Sequence, residues 1–418
     1  MTSLLEDFRL FLSSSPTAWH AVHEVAKRLQ HFSELDEREM WNLRDNDRFF
    51  VKRGGSLAAF QLPKTMPKRL ILFVAHTDSP GLKIKPNPLV EQAKINLLEV
   101  EVYGSPILHS WLNRDLSLAG RLFLQNAQGA VLEQLLWLDS LPIMIPELAI
   151  HLDRDVNTRG PLLNKQEHLM PLLSMQIPTT LESLFRSHIA FDKLLAFDLF
   201  LVPLEPPRFL GRDQEWLASY RLDNLTSVHA ATMAFLRYEP NDTLPILLFF
   251  DHEEVGSRSW EGAHSSFASD LLCRLRHFYA CTEEEWLICK RNSLALSLDM
   301  AHGLHPLHPE KHDPNHRPFL GKGIALKHNA ELKYASSAYT LAKAIHIGER
   351  AILPLQHFVS RSDIPSGSTV GPLITSSLGI PTVDLGCPQL SMHSAREMMA
   401  TSDYLDAVTF LQSALSYV

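Results

Sequence analysis

The sequence lacks the features that mark several classes of protein. No apolar run reaches the roughly 18 residues that a membrane-spanning helix needs. The opening segment Met1-Thr-Ser-Leu-Leu-Glu-Asp-Phe8 carries acids where a secretory signal would carry positive charge. The four cysteines, Cys273, Cys281, Cys289 and Cys387, form no CxxC pair, so in a chain of 418 residues they read as free thiols rather than a disulfide framework. Positive charge is not in excess either. A net charge of −8 argues against a general nucleic-acid or anionic-membrane partner. No repeat, low-complexity tract or flexible linker stands out. A cytoplasmic, non-membrane protein is the expectation.

What is present is ordinary globular composition, 45% hydrophobic and 21% charged, in a chain too long for one core. Leu4, Leu5, Phe8, Phe11 and Leu12 repeat as one side of a short helix, and Trp19, Val22, Ala26 and Leu29 as another. A hairpin is expected at Phe49-Phe50-Val51 and Leu57–Phe60, with Gly54-Gly55 at the bend. Arg69–Ala75 is a continuous apolar run, as in a strand buried on both faces. Similar runs return at Pro245–Phe250, Leu294–Leu298, Ala351–Phe358 and Ile380–Leu385. Helical patterns fall at about 224–238, 329–346 and 394–416. This alternation predicts an α/β fold, a sheet with helices on both faces.

Between about 90 and 210 the texture changes. Val100–Tyr103, Ser117–Phe123 and Ala130–Leu136 read as shorter strands, and prolines cluster at 142, 146, 161, 171 and 178. The expected organisation is a discontinuous catalytic domain, 1–90 and 211–418, interrupted by an inserted β-rich domain at 91–210.

Five polar clusters stand immediately after predicted core strands or at the start of a predicted helix, where ligands of open α/β sheets gather. They are His76-Thr-Asp78, Arg221-Leu-Asp223-Asn224, Asp251-His-Glu253-Glu254, Asp299-Met-Ala-His302 and Met392-His393-Ser394. An isolated histidine there is ordinarily a packing residue, an Asp-Asn pair an N-cap, and adjacent glutamates solvated charge. Five such groups at strand ends have no purpose in a purely structural core. Metal-assisted amide hydrolysis needs such a set. Two zinc ions require a bridging carboxylate, about two further N/O ligands each and an open position, and a carboxylate outside the ligand set must take a proton from water. His76, Asp223, Glu254, Asp299 and His393 can supply the ligands, and Glu253 is the spare carboxylate. Asp78 can hydrogen-bond the His76 imidazole and set its tautomer. Zn²⁺, Co²⁺ and Mn²⁺ share such sites.

The chain also resembles the M18 metalloaminopeptidases nearly end to end. The likeness is carried by Ser15–Val22, Ala75–Pro80, Trp111–Gly120, Ala149–Asp155, Asp251–Ser257, Asp299–Gly303, Asp363–Thr369 and Asp384–Ser394. The resemblance implies that His76 and Asp299 complete one zinc site, Glu254 and His393 the other, and that Asp223 bridges. It makes Glu253 the general acid/base and Asp78 the carboxylate behind His76. It further implies that Lys327 faces an acidic first side chain of the substrate, and that His302 stabilises the developing oxyanion. His151 would reach the active site of a neighbouring subunit. An α/β peptidase domain interrupted by a β-rich oligomerisation domain, a dodecamer and peptide substrates are likewise implied.

The alternatives are a neutral, leucine-like preference, a related dinuclear deacylase or carboxypeptidase, and a self-assembling binding shell without activity. His305, His308, His312 and His316 read as a surface loop.

Overall fold

The strand Arg69–His76 carries the logic of the main sheet. Leu70, Leu72 and Val74 pack into one apolar cluster and Ile71, Phe73 and Ala75 into another. Successive side chains of a strand point to opposite faces, so a strand apolar at every position must be covered twice. Thr243–Phe250 divides in the same way, with Leu247 and Phe249 on one side and Ile246 and Leu248 on the other. The helices supply both covers. Val228, Phe235, Tyr404 and Leu411 belong to the first cluster, and Leu271, Leu275, Trp286 and Ile374 to the second.

The computed structural model describes residues 3–44, 47–175 and 180–417. Pro178, one of the clustered prolines, lies outside the described residues. By its internal contacts the chain divides into two compact units. One comprises Met1–Asp78, Pro207–Met392 and Glu397–Val418; the other comprises Ser79–Pro206 and His393–Arg396.

The first unit contains a sheet of nine described strands. At its centre Thr243–Phe250, Arg69–His76, Leu294–Leu298 and Thr382–Gly386 run parallel. Ser56–Gln61 joins antiparallel on one side of them and Ile324–His328 on the other, followed by Leu355–Val359. The expected hairpin is formed by Arg48–Arg53 and Ser56–Gln61. Its Gly54-Gly55 bend has a tertiary cause. A Cβ on Gly55 would run into the Asp251 carboxylate, and one on Gly54 into that of Glu261.

The second unit contains a six-stranded antiparallel sheet, built on Gly81–Gln92, Ile95–Tyr103, Leu116–Gln125 and Lys193–Pro203. Because Gly81–Gln92 is paired on both sides within this sheet, the break in the chain falls after residue 78 rather than after 90.

Three segments differ from the sequence reading. Residues 397–400 were expected to be helical but form the strand Glu397–Ala400, paired antiparallel with Trp216–Ser219; the last helix begins at Thr401. Glu, Met and Ala favour helices, but tertiary pairing overrides that weak local preference. The strand belongs to a five-stranded sheet that the apolar runs did not reveal. Met392-His393-Ser394 accordingly sits in the turn between the antiparallel strands Pro388–Leu390 and Glu397–Ala400, not at a helix start. The pattern at 329–346 becomes the helix Ala338–Arg350, which starts at Ser337 through a capping box with Thr340. Among the described residues no helix is long and apolar enough to cross a membrane.

Candidate active site

The central parallel strands end in polar residues that turn towards one another. His76, the last residue of Arg69–His76, is 2% exposed. Its Nδ1 lies 3.1 Å from the backbone carbonyl of Asp78, so Nδ1–H is the donor, and in the neutral imidazole Nε2 is the nitrogen left to bind a metal. Nε2 lies 3.4 Å from Asp223 Oδ1 and 3.5 Å from Asp299 Oδ1. Ligand atoms of His76, Asp223 and Glu254 fall within 4.8 Å of one another. Burial opposes a charge on His76, but the carboxylates of Asp223, Asp299 and Asp78 prevail and raise its pKa well above the ordinary value.

Local backbone explains how these side chains are delivered. Arg221 has φ +66° and donates from its guanidinium to the carbonyls of Ser15 and Thr77, fixing the turn before Asp223. Asp223 N–H donates to the buried Glu397 at 3.0 Å, and Asn224 Nδ2 donates to the Leu298 carbonyl at 2.6 Å. The peptide bond between Asp223 and Asn224 is cis. His252, with φ +63°, turns the chain into the short helical turn Glu253–Val255.

Asp78 faces His76 and also braces a second element. Its carboxylate stands 3.5 Å from His76 Nδ1, farther than its own backbone carbonyl. The two carboxylate oxygens also accept from the backbone N–H groups of Glu253 and Glu254, each at 3.1 Å. Asp78 therefore ties the histidine-bearing strand to the glutamate turn. Withdrawal from solvent pushes the Glu253 carboxyl up to about 8; His76 opposes this, and Asp299, Asp78 and Asp223 reinforce it.

Lys327 is not a surface lysine. It is 2% exposed, its ammonium is 2.9 Å from Asp299 Oδ2, and it lies 5.3 Å from the centre of the Tyr334 ring. Burial disfavours its charge, yet Asp299, Tyr334 and Asp384 hold its pKa above the ordinary lysine value. Sequence reading had no way to find this pair, because 28 positions separate the partners.

His302 is exposed, edge-on to Phe358 at 5.7 Å, and lines a cleft of about 310 Å³ together with His305, His312, Arg361 and Gln389. Local hydrogen bonds hold the histidine-rich loop. His312 Nε2 accepts from the His305 N–H, His305 Nδ1 accepts from the Leu307 N–H, and His316 pairs with Asp313. These imidazoles fold the loop upon itself.

Asp251, His252 and Glu261 form a second group whose possible ligand atoms converge within 4.8 Å. The sequence reading did not single out Glu261. Its ten-residue offset from Asp251 carries no periodic signal.

Two expected site residues lie in the second unit. His393 has φ +67° and its Nδ1 donates to the Ser105 carbonyl at 3.1 Å, leaving Nε2 as an acceptor. His151 lies on an exposed turn.

Buried imidazole nitrogen and carboxylate oxygens converge where the strand Arg69–His76 ends, a donor set that could hold a metal ion, as in metal-dependent hydrolases. Comparison with known proteins narrows the class. The family described as aminopeptidase I zinc metalloprotease (M18) matches residues 11–414. The chain is 38% identical over 415 residues to a probable M18 family aminopeptidase 2 of Streptomyces avermitilis, covering 95% of this chain and 94% of that protein. It is 34% identical over 454 residues to a probable aspartyl aminopeptidase of Ricinus communis, covering 96% and 92%. Among solved structures, a chain from the cryo-EM structure of the Ape4 and Nbr1 complex superposes with a TM-score of 0.94 at 33% identity, covering 98% of this chain and 85% of that one. The S. cerevisiae mApe1 dodecamer gives 0.85 at 26% identity, covering 98% and 96%. The chain belongs to the M18 family of zinc metalloaminopeptidases, hydrolases that remove N-terminal residues from peptides.

Proposed function

We propose that the protein is a dinuclear zinc aminopeptidase that prefers acidic N-terminal residues and works as a homo-oligomer. The observation that carries this reading is the approach of His76 Nε2 to Asp223 and Asp299 at 3.4 and 3.5 Å, with Glu254 in the same group. Two donors each ~2.1 Å from one tetrahedral zinc lie ~3.4 Å apart, so the donor set fits the ion in chemistry and in spacing. His76, Asp223, Glu254 and Asp299 would hold the metal; His393 is added on the family resemblance alone. Co²⁺ and Mn²⁺ suit the same N/O donors. Bound metal would supply Lewis acidity towards the peptide carbonyl.

The chain's own groups do the rest. Asp78 fixes the Glu253–Glu254 turn through two backbone hydrogen bonds, which separates the two glutamates into a ligand and a proton carrier. Glu253 takes a proton from the attacking water and returns it to the leaving amine. His302 is the candidate donor to the developing oxyanion.

The name of the Ricinus communis relative supports acidic specificity, and the family resemblance makes Lys327 the candidate cation for it. The dodecameric mApe1 structure supports assembly, in which the exposed His151 would be offered to a neighbouring copy. The test is turnover of aspartyl, glutamyl and leucyl naphthylamides at defined metal content. A leucyl preference would assign the chain to the neutral branch. Turnover of acylated but not free N-termini would make it a deacylase.

A further inference from the structure

The strand Ile324–His328 carries Lys327 into the interior, where its ammonium meets Asp299 rather than solvent. The two oxygens of Asp299 are thereby made unequal. Oδ2 accepts from Lys327 Nζ at 2.9 Å, and Oδ1 faces His76 Nε2 at 3.5 Å. The lysine has little freedom to leave. The Tyr334 ring lies beneath the ammonium, and Ser366 Oγ donates to the Tyr334 hydroxyl at 3.1 Å. Beside Tyr334, the Ala335 N–H donates to the fully buried Asp384 at 2.5 Å, and Thr369 Oγ1 donates to the same carboxylate at 2.6 Å. Partners that orient a metal-binding carboxylate ordinarily carry a 10–100-fold share of metal affinity.

We propose that Lys327 is a positioning residue for Asp299: by holding Oδ2 it presents Oδ1 alone to the metal-binding cluster. The proposal rests on the reading of Asp299 as a ligand. It differs in its consequences from recognition of an acidic substrate side chain. A residue that only reads the first side chain affects acidic substrates and leaves metal retention untouched. A residue that orients a ligand affects metal retention and every substrate alike.

The experiment compares the full-length, zinc-loaded wild type with Lys327→Met and Lys327→Gln. Zinc per subunit is measured after dialysis against graded chelator, and kcat and KM are measured on aspartyl and leucyl naphthylamides. Lys327→Met should release zinc at roughly 10–100-fold lower chelator, with kcat falling by a similar factor on both substrates. Lys327→Gln, which keeps a donor for Oδ2 without the charge, should fall between the two. If Lys327→Met does not accumulate as folded protein, Lys327→Gln alone decides, by the same readouts. Wild-type zinc retention combined with a loss confined to the aspartyl substrate overturns the proposal. A wild type that binds no zinc removes the ligand reading of Asp299, and the positioning role with it. A wild type that binds zinc but fails to release N-terminal residues removes only the proposed function.

Discussion

In the first unit the strand Arg69–His76 is apolar from Leu70 to Ala75, and at and beyond its end an imidazole, several carboxylates and an ammonium are packed away from solvent. In the second unit the segment around His151 does the reverse. Leu152 and Leu162 are each 73% exposed, and Leu148 and Ile150 lie open beside them. Each region inverts the usual distribution, in which charges face water and large apolar side chains do not. A buried polar cluster is expensive to fold unless its groups find partners, and it persists where chemistry needs it. A contiguous exposed apolar patch is retained where another molecule covers it. The difference sets the proposed reaction centre apart from a candidate surface for a neighbouring copy.

The strongest way to break this comparison is to remove the metal. Exhaustive chelation should abolish aminopeptidase activity, and added Zn²⁺ or Co²⁺ should restore it, as read by naphthylamide turnover beside metal analysis. Undiminished activity in protein shown to hold no metal would mean that the buried cluster is not the reaction centre.

Next in size is Glu253→Gln, which removes the proton carrier and leaves the proposed ligands in place. Turnover should drop ~10²–10⁴-fold with zinc content unchanged. Loss of zinc from Glu253→Gln but not from Glu254→Gln would show that the two adjacent glutamates have the opposite roles.

On the second unit, Leu152→Glu together with Leu162→Glu places charge on the exposed apolar segment. If that segment is the contact between copies, the dissociation constant of the assembly should rise on the order of 10–100-fold, measured by light scattering across a concentration series. An unaltered assembly would move the contact elsewhere. His151 sharpens the point. Co-assembled His151→Ala and Glu253→Gln variants should recover activity that neither has alone, if each site borrows a histidine from a neighbour.

The smallest effect tests whether every buried polar group of the first unit is catalytic. Asp7 accepts from His229 Nε2 at 3.0 Å, and His229 Nδ1 accepts from the Tyr404 hydroxyl at 2.7 Å, joining the first helix to two others. The His229 hydrogen bond, helped by Arg28, holds the Asp7 carboxyl well below the usual carboxylate range. Its stabilisation is therefore present at neutral pH and is lost as pH falls below that range towards the depressed folded value. Asp7→Asn should cost about 1 kcal/mol at pH 7, a figure discounted because more than a third of the side chain faces solvent. It should also flatten the acid limb of the stability profile in denaturant titrations. Kcat should stay within error; a large loss would tie this network to the reaction.

The sequence by itself determined the alternation of apolar runs and helical patterns, because burial on one or both faces writes a period of two or 3.6 into neighbouring residues. It also marked the strand ends, since His76 and Asp299 stand directly after runs such as Arg69–Ala75 and Leu294–Leu298. Only the tertiary structure decided which polar groups act on which. Asp78 turns its carboxylate to the backbone of Glu253 and Glu254, about 175 residues away, and Lys327 takes one oxygen of Asp299. Glu397 belongs to a strand that local helix preference disguised, and it reaches back to the backbone of Asp223. Hydrogen bonds and ion pairs between distant residues have no period, and their partners are set by where the folded sheets bring the chain.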